Sequence, residues 1–117
     1  MSEFIPYYDL AKHNDSVRES IKNAHPDWGV VLLYYSAIHW INGFCIKKYS
    51  TTYDPSGHNS RDKFISKNFR ELYKPLRQLE SESESIRYKP PYWNEITRTT
   101  IASLEADYKK IKTAMNK

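Results

Sequence analysis

With 117 residues, 18 Lys and Arg against 14 Asp and Glu, ten tyrosines and three glycines, this chain has room for one domain around a single hydrophobic core. So few glycines, none of them clustered, exclude the phosphate-cradling loops of P-loop and dinucleotide-binding folds. A net charge of +4 permits contact with polyanions without requiring it, and the single Cys45 excludes an intramolecular disulfide, which fits a reducing, cytoplasmic setting.

The N-terminal stretch MSEFIPYYDLAKHNDS lacks a basic start followed by an apolar run, so no signal peptide is expected. A first helix is predicted over about Tyr8 to Ala24, with Leu10, Val17, Ile21 and Ala24 on its apolar face. Pro26 suits the first turn of a second helix, where a missing N–H costs nothing, and Asp27 places negative charge at that helix's positive end. This second helix runs to about Lys47 and Lys48 and is apolar nearly all round, yet Tyr34, Tyr35, Ser36, His39 and Asn42 stand in its middle. Its length invites a membrane reading. The polar residues at its centre and a mean hydropathy of −0.78 favour a buried core helix, with no membrane contact and with Cys45 inside the core.

The segment YSTTYDPSG follows as a polar loop, with Asp54-Pro55-Ser56-Gly57 a strong turn signal. A third helix is expected to open around His58 and to carry Phe64, Ile65, Phe69 and Leu72. Pro75 should end or kink it, leaving Leu76 and Leu79 to a short fourth segment. The run ESESES from Glu80 to Ser85 reads equally as a solvated helical face or a flexible loop. Pro90 and Pro91 break the chain before a last helix, whose Ile101, Leu104, Tyr108 and Ile111 form a stripe suited to the domain's own core or to a dimer. The sum is an all-α, single-domain bundle of four to five helices over residues 1–117.

Chemistry is sparse. His13, His25, His39 and His58 are scattered without paired carboxylates or a Cys partner at ligand spacing, so neither a metal site nor a cofactor is expected. No nucleophile elbow with Ser, His and Asp is present. Tyr35 and His39 lie one helical turn apart and can face one pocket. A histidine on such a helix is more often a hydrogen-bonded core residue than a ligand. The second reading draws on His58 and Arg61, again one turn apart, in a stretch with six Lys or Arg against two acids between His58 and Arg77. Basic side chains such as Arg70 and Arg77 beside imidazoles and tyrosines suit phosphate binding, with aromatic rings to stack on bases. Arg87 and Tyr88 either brace the core or reach the same pocket. The candidate catalytic residues are therefore His39, His58, Arg61 and Arg87, and the candidate ligand-binding residues Tyr35, Arg70, Arg77 and Tyr88.

The string His25-Pro-Asp-Trp-Gly-Val-Val-Leu-Leu-Tyr-Tyr-Ser-Ala-Ile-His39 resembles the central helix of small prokaryotic HEPN-like (higher eukaryotes and prokaryotes nucleotide-binding) proteins. His58-Asn-Ser-Arg61, Leu72-Tyr73 and Ser83-Glu-Ser-Ile-Arg87-Tyr88 resemble segments that follow in the same order, and together they cover roughly residues 8–90. The resemblance implies a helical bundle, often a homodimer, from a superfamily of RNA-processing and defence-linked domains, at times paired with a nucleotidyltransferase-like antitoxin. Catalytic members carry an Arg, four to six residues, then a His at a late helix. This chain departs from that pattern: Arg98 has no downstream His, and the only literal match is Arg18 with His25. The expectation is thus binding of RNA or a nucleotide. The alternatives are a metal-independent ribonuclease of atypical type, with an imidazole base and arginines stabilising phosphorane charge, and a noncatalytic dimerisation or adaptor module.

Overall fold

The computed structural model describes residues 4–49 and 58–117, with the backbone alone for 58–60. The expected turn at Asp54-Pro55-Ser56-Gly57 and the side chain of His58 lie outside the described residues. Those residues form an all-α bundle of five α-helices: α1 (Ile5–Ile21), α2 (Pro26–Tyr49), α3 (His58–Asn68), α4 (Tyr73–Tyr88) and α5 (Arg98–Met115). Short 3₁₀ turns occupy Arg70–Leu72 and Tyr92–Asn94.

A helix that is apolar on every side needs neighbours on every side. α2 has them: it packs on α1, α4 and α5 at once, and Val30, Ala37, Ile41 and Cys45 are each 0% exposed. It is long and apolar enough to cross a membrane, but 83% of its most apolar stretch is buried inside this bundle.

α1 presents a different face to the core from the expected one. Leu10 is 42% exposed and Ala24 is exposed, whereas Ala11 and Arg18 are buried. The cause lies on α2, where Gly29, Ser36 and Gly43 recur every seven residues as a channel of small side chains. The antiparallel α1 settles into that channel. Arg18 lies against Gly29, the Ser36 hydroxyl donates to the Ala11 carbonyl at 3.4 Å, and the Tyr8 ring and Phe4 carbonyl lie against Gly43. Close approach of the two backbones here outweighs burial of the larger Leu10.

The break expected at Pro75 comes earlier. α3 stops at Asn68, Phe69 leaves helical geometry with φ −140° and ψ 63°, and α4 begins at Tyr73. Pro75 is therefore the third residue of α4, where the N–H it lacks would have had no helical partner anyway. Phe64, Phe69 and Phe44 meet around this break at ring separations of 5.6–6.0 Å, which anchors it to α2. The ESESES run resolves as helix, inside α4: Ser83 is fully buried, Glu80 and Glu82 make specific hydrogen bonds, and Glu84 faces solvent.

α5 opens on Thr97, whose side-chain oxygen accepts from the Thr100 amide at 3.1 Å, an N-cap. Its stripe packs on the domain's own core, with Leu104, Tyr108 and Ile111 buried. A buried polar chain ties the outer helices to α2. The Trp40 indole donates to the Tyr108 hydroxyl at 2.9 Å, and that hydroxyl donates to Asp15 at 2.5 Å. Lys112 completes it, donating to Asp15 at 3.1 Å. Burial, and then the hydrogen bond to Asp15, hold the Tyr108 phenol above its ordinary pKa.

Candidate functional site

Two helix breaks with large side chains beside them set up the site. At the α1–α2 turn the His25 amide donates back to Ile21 at 2.7 Å, and α2 starts at Pro26, leaving Trp28 on its first turn. At the other break, the Pro90-Pro91 peptide bond is cis and Tyr92–Asn94 form a 3₁₀ turn that carries Trp93. Tyr92 fixes this turn to α4, because its hydroxyl donates to both Glu82 carboxylate oxygens, at 2.6 and 2.8 Å. That bond, with burial second, pushes the Tyr92 phenol up to about 12. Trp28 and Trp93 are each 52% exposed, and Tyr88 at the end of α4 is 70% exposed. These three rings, with His25, Arg87 and Asn94, line a cleft of about 820 Å³.

Arg87 supplies positive charge to this cleft, which the Asp27 carboxylate also lines, and is held on three sides. Its Nε donates to the Ser83 carbonyl at 3.2 Å, and one terminal nitrogen donates to the Tyr35 hydroxyl at 2.8 Å and to the Tyr88 hydroxyl at 3.3 Å. The guanidinium also lies over the Tyr35 and Tyr88 rings, 5.4 and 4.9 Å from their centroids. No carboxylate among the described residues forms an ion pair with it. A guanidinium fixed in this way presents positive charge without the entropy loss of ordering a free side chain.

Of the residues expected to share one pocket, the structure brings Tyr35, Arg87 and Tyr88 together, with Tyr35 behind Arg87 rather than in the cleft wall. The remaining expected residues whose side chains are described lie outside this cleft, on α2, α3, α4 and the 3₁₀ turn before α4. His39 is half-buried one turn beyond Tyr35, and its Nδ1 is buried without a hydrogen-bond partner. Burial, and then the nearby Arg61, hold the imidazole below its ordinary pKa, so it is neutral near pH 7. Arg61 is 6% exposed, inside the bundle rather than on a solvated basic face. Arg77 is exposed and pairs with Glu80 at 2.5 Å, and Glu80 in turn accepts from the Tyr34 hydroxyl at 3.3 Å. Arg70 stands exposed on the 3₁₀ turn before α4. Among the described residues, neither His39 nor Arg61 lines the aromatic cleft. Likewise, no group of three or more His, Cys, Asp or Glu able to hold a metal ion occurs among them.

Trp28 and Trp93 are the residues that sequence reasoning missed. The available signal was their position, each two or three residues past a proline that marks a helix boundary, where a bulky ring at a chain break is not swept into the core. Comparison of the chain with models of protein families, with curated proteins and with solved structures finds no match.

Proposed function

We propose that this chain is a HEPN-like helical module that binds single-stranded RNA or a nucleotide, with a base seated between the rings of the cleft at the α2 N-terminus. The observation that carries the reading is the exposed trio Trp28, Tyr88 and Trp93 beside the braced Arg87, which has no ion-pair partner among the described residues although Asp27 also lines the cleft. Exposed indoles cost solvation unless they have a use, and a flat base covers them well. Base–aromatic stacking contributes about 1–3 kcal/mol per base, and an arginine at the edge adds charge for the phosphate. The order of sequence motifs along α2 to α4 supports the family part of the reading. Among the described residues His39 does not line this cleft, so it takes no part in this binding reading.

Intrinsic fluorescence tests it directly. Of the three tryptophans, Trp40 is 1% exposed, so quenching by a ligand reports Trp28 and Trp93. Titration with a single-stranded RNA oligonucleotide at low salt is expected to quench emission, and Trp93→Ala is expected to weaken binding about tenfold or more, from the stacking magnitude above. The reading fails if neither RNA nor mononucleotide changes the emission, or if Trp28→Ala and Trp93→Ala both bind as the wild type does.

A further inference from the structure

Beside the aromatic cleft lies a second one of about 620 Å³, lined by Arg18, Lys22, Asn23, Arg98 and Glu105. The two clefts share Pro26 and Ile96, so they adjoin at the first residue of α2 and the segment leading into α5. We infer that a single nucleic-acid strand occupies both, its base in the aromatic cleft and a neighbouring backbone phosphate in the basic one; this rests on the binding reading above and names its ligand as a strand rather than a free nucleotide.

Charge and rigidity support the phosphate assignment. Three cations and one carboxylate face the basic cleft. Arg18 is fixed: its side chain is 10% exposed, its guanidinium bonds Glu105 at 2.6 Å, and its Nε, unpartnered, packs over Gly29. Lys22 lies one turn further along and is held by Glu19 at 3.0 Å. Arg98 is exposed, with no acidic partner among the described residues. It also occupies the first turn of α5, a turn that carries no acid, where the helix dipole already favours an anion and opposes a cation. A phosphate seated between Arg98 and Lys22 relieves that opposition. A duplex does not fit the pair of clefts, because its bases already stack on one another and offer no face to Trp28 or Trp93.

The test compares a single-stranded uridylate octamer, the same RNA as a duplex with its complement, and uridine, each followed by tryptophan quenching over a salt series. The variant is Lys22→Ala with Arg98→Ala, two side chains outside the hydrophobic core. The wild type is expected to bind the single strand in preference to the duplex. The double variant is expected to bind the octamer at least tenfold more weakly, with the slope of log K against log salt reduced by about 1.4 for two lost single-strand phosphate contacts. Its uridine affinity should not change. If the octamer binds the double variant with wild-type affinity and slope, the phosphate site is wrong while the base-binding reading stands. If the wild type quenches with neither octamer nor uridine, both are wrong. Displacement of the octamer by a polyglutamate peptide at equal concentration would overturn the nucleic-acid assignment in favour of an acidic protein.

Discussion

Replacing Gly43 by alanine sets two effects of opposite sign against each other, and the structure decides between them. In an exposed helix the change stabilises by about 0.5–1 kcal/mol, because glycine loses more backbone freedom on folding. At Gly43, however, an added Cβ stands 2.5 Å from two carbons of the Tyr8 ring and 3.3 Å from the Phe4 carbonyl oxygen. Ordinary carbon contacts need about 3.5–4.0 Å, so the ring must retreat by about 1 Å. It cannot do so freely. The Tyr8 hydroxyl donates to the Met115 carbonyl at 3.0 Å, and the ring packs against Phe4 and Trp40 at 5.6 and 5.0 Å. Overpacking of this kind costs about 1–3 kcal/mol, and losing the hydroxyl's bond about 0.5–1.5 kcal/mol more. The net expectation is destabilisation by about 1–3 kcal/mol. Gly29 provides the control on the same helix, since its added Cβ meets only ordinary contacts, Lys22 Cβ at 3.5 Å and Arg18 Nε at 3.6 Å. Gly29→Ala is therefore expected to stabilise by about 0.5–1 kcal/mol. Urea unfolding followed by circular dichroism measures both, with the transition midpoint moving down for Gly43→Ala and up for Gly29→Ala at unchanged slope. A Gly43→Ala protein as stable as the wild type, or less perturbed than Gly29→Ala, would refute the small-residue channel as the determinant of how α1 docks.

Tyr108→Phe leaves the buried Trp40 indole N–H without its acceptor and Asp15 without its shortest donor. A loss of about 1–3 kcal/mol is expected, read from the urea midpoint. The loss should shrink when Trp40→Phe is already present, and full additivity in that double-mutant cycle would count against the network. The pH dependence of stability carries the signature of His39. Its folded pKa lies below the ordinary 6.5, so as pH falls through 6.5 the unfolded chain takes up a proton that the folded one refuses. Stability should drop over that interval, and His39→Gln should flatten the drop. An unaltered profile in the variant would show that His39 is not held neutral by burial and Arg61.

The chain's local patterns determined a good deal. An apolar stretch of this length with a proline and an aspartate at its start has one economical solution in water, a buried central helix, and α2 is that helix. Spacings of three and four fixed the stripe of α5, because they line up on one side of a helix whatever surrounds it. The sequence left Arg87 and Tyr88 open between bracing the core and reaching the pocket of Tyr35 and His39, and the contact of Arg87 with Tyr35 came only from the packing of α4 on α2. Tertiary structure alone decided the rest. Pro75 permits both a helix end and a helix start, and the phenylalanine cluster at Phe64 and Phe69 chose the latter. The face of α1 was set by small residues on another helix, which no periodicity within α1 records. Glu82 became the anchor of Trp93 only once the chain had folded back to bring Tyr92 beside it. The aromatic and basic clefts arise in the same way, from residues far apart in the chain that meet where α1 turns into α2 and α4 leads into α5. Periodicity acts over a helical turn, and a binding surface is a property of which turns end up side by side.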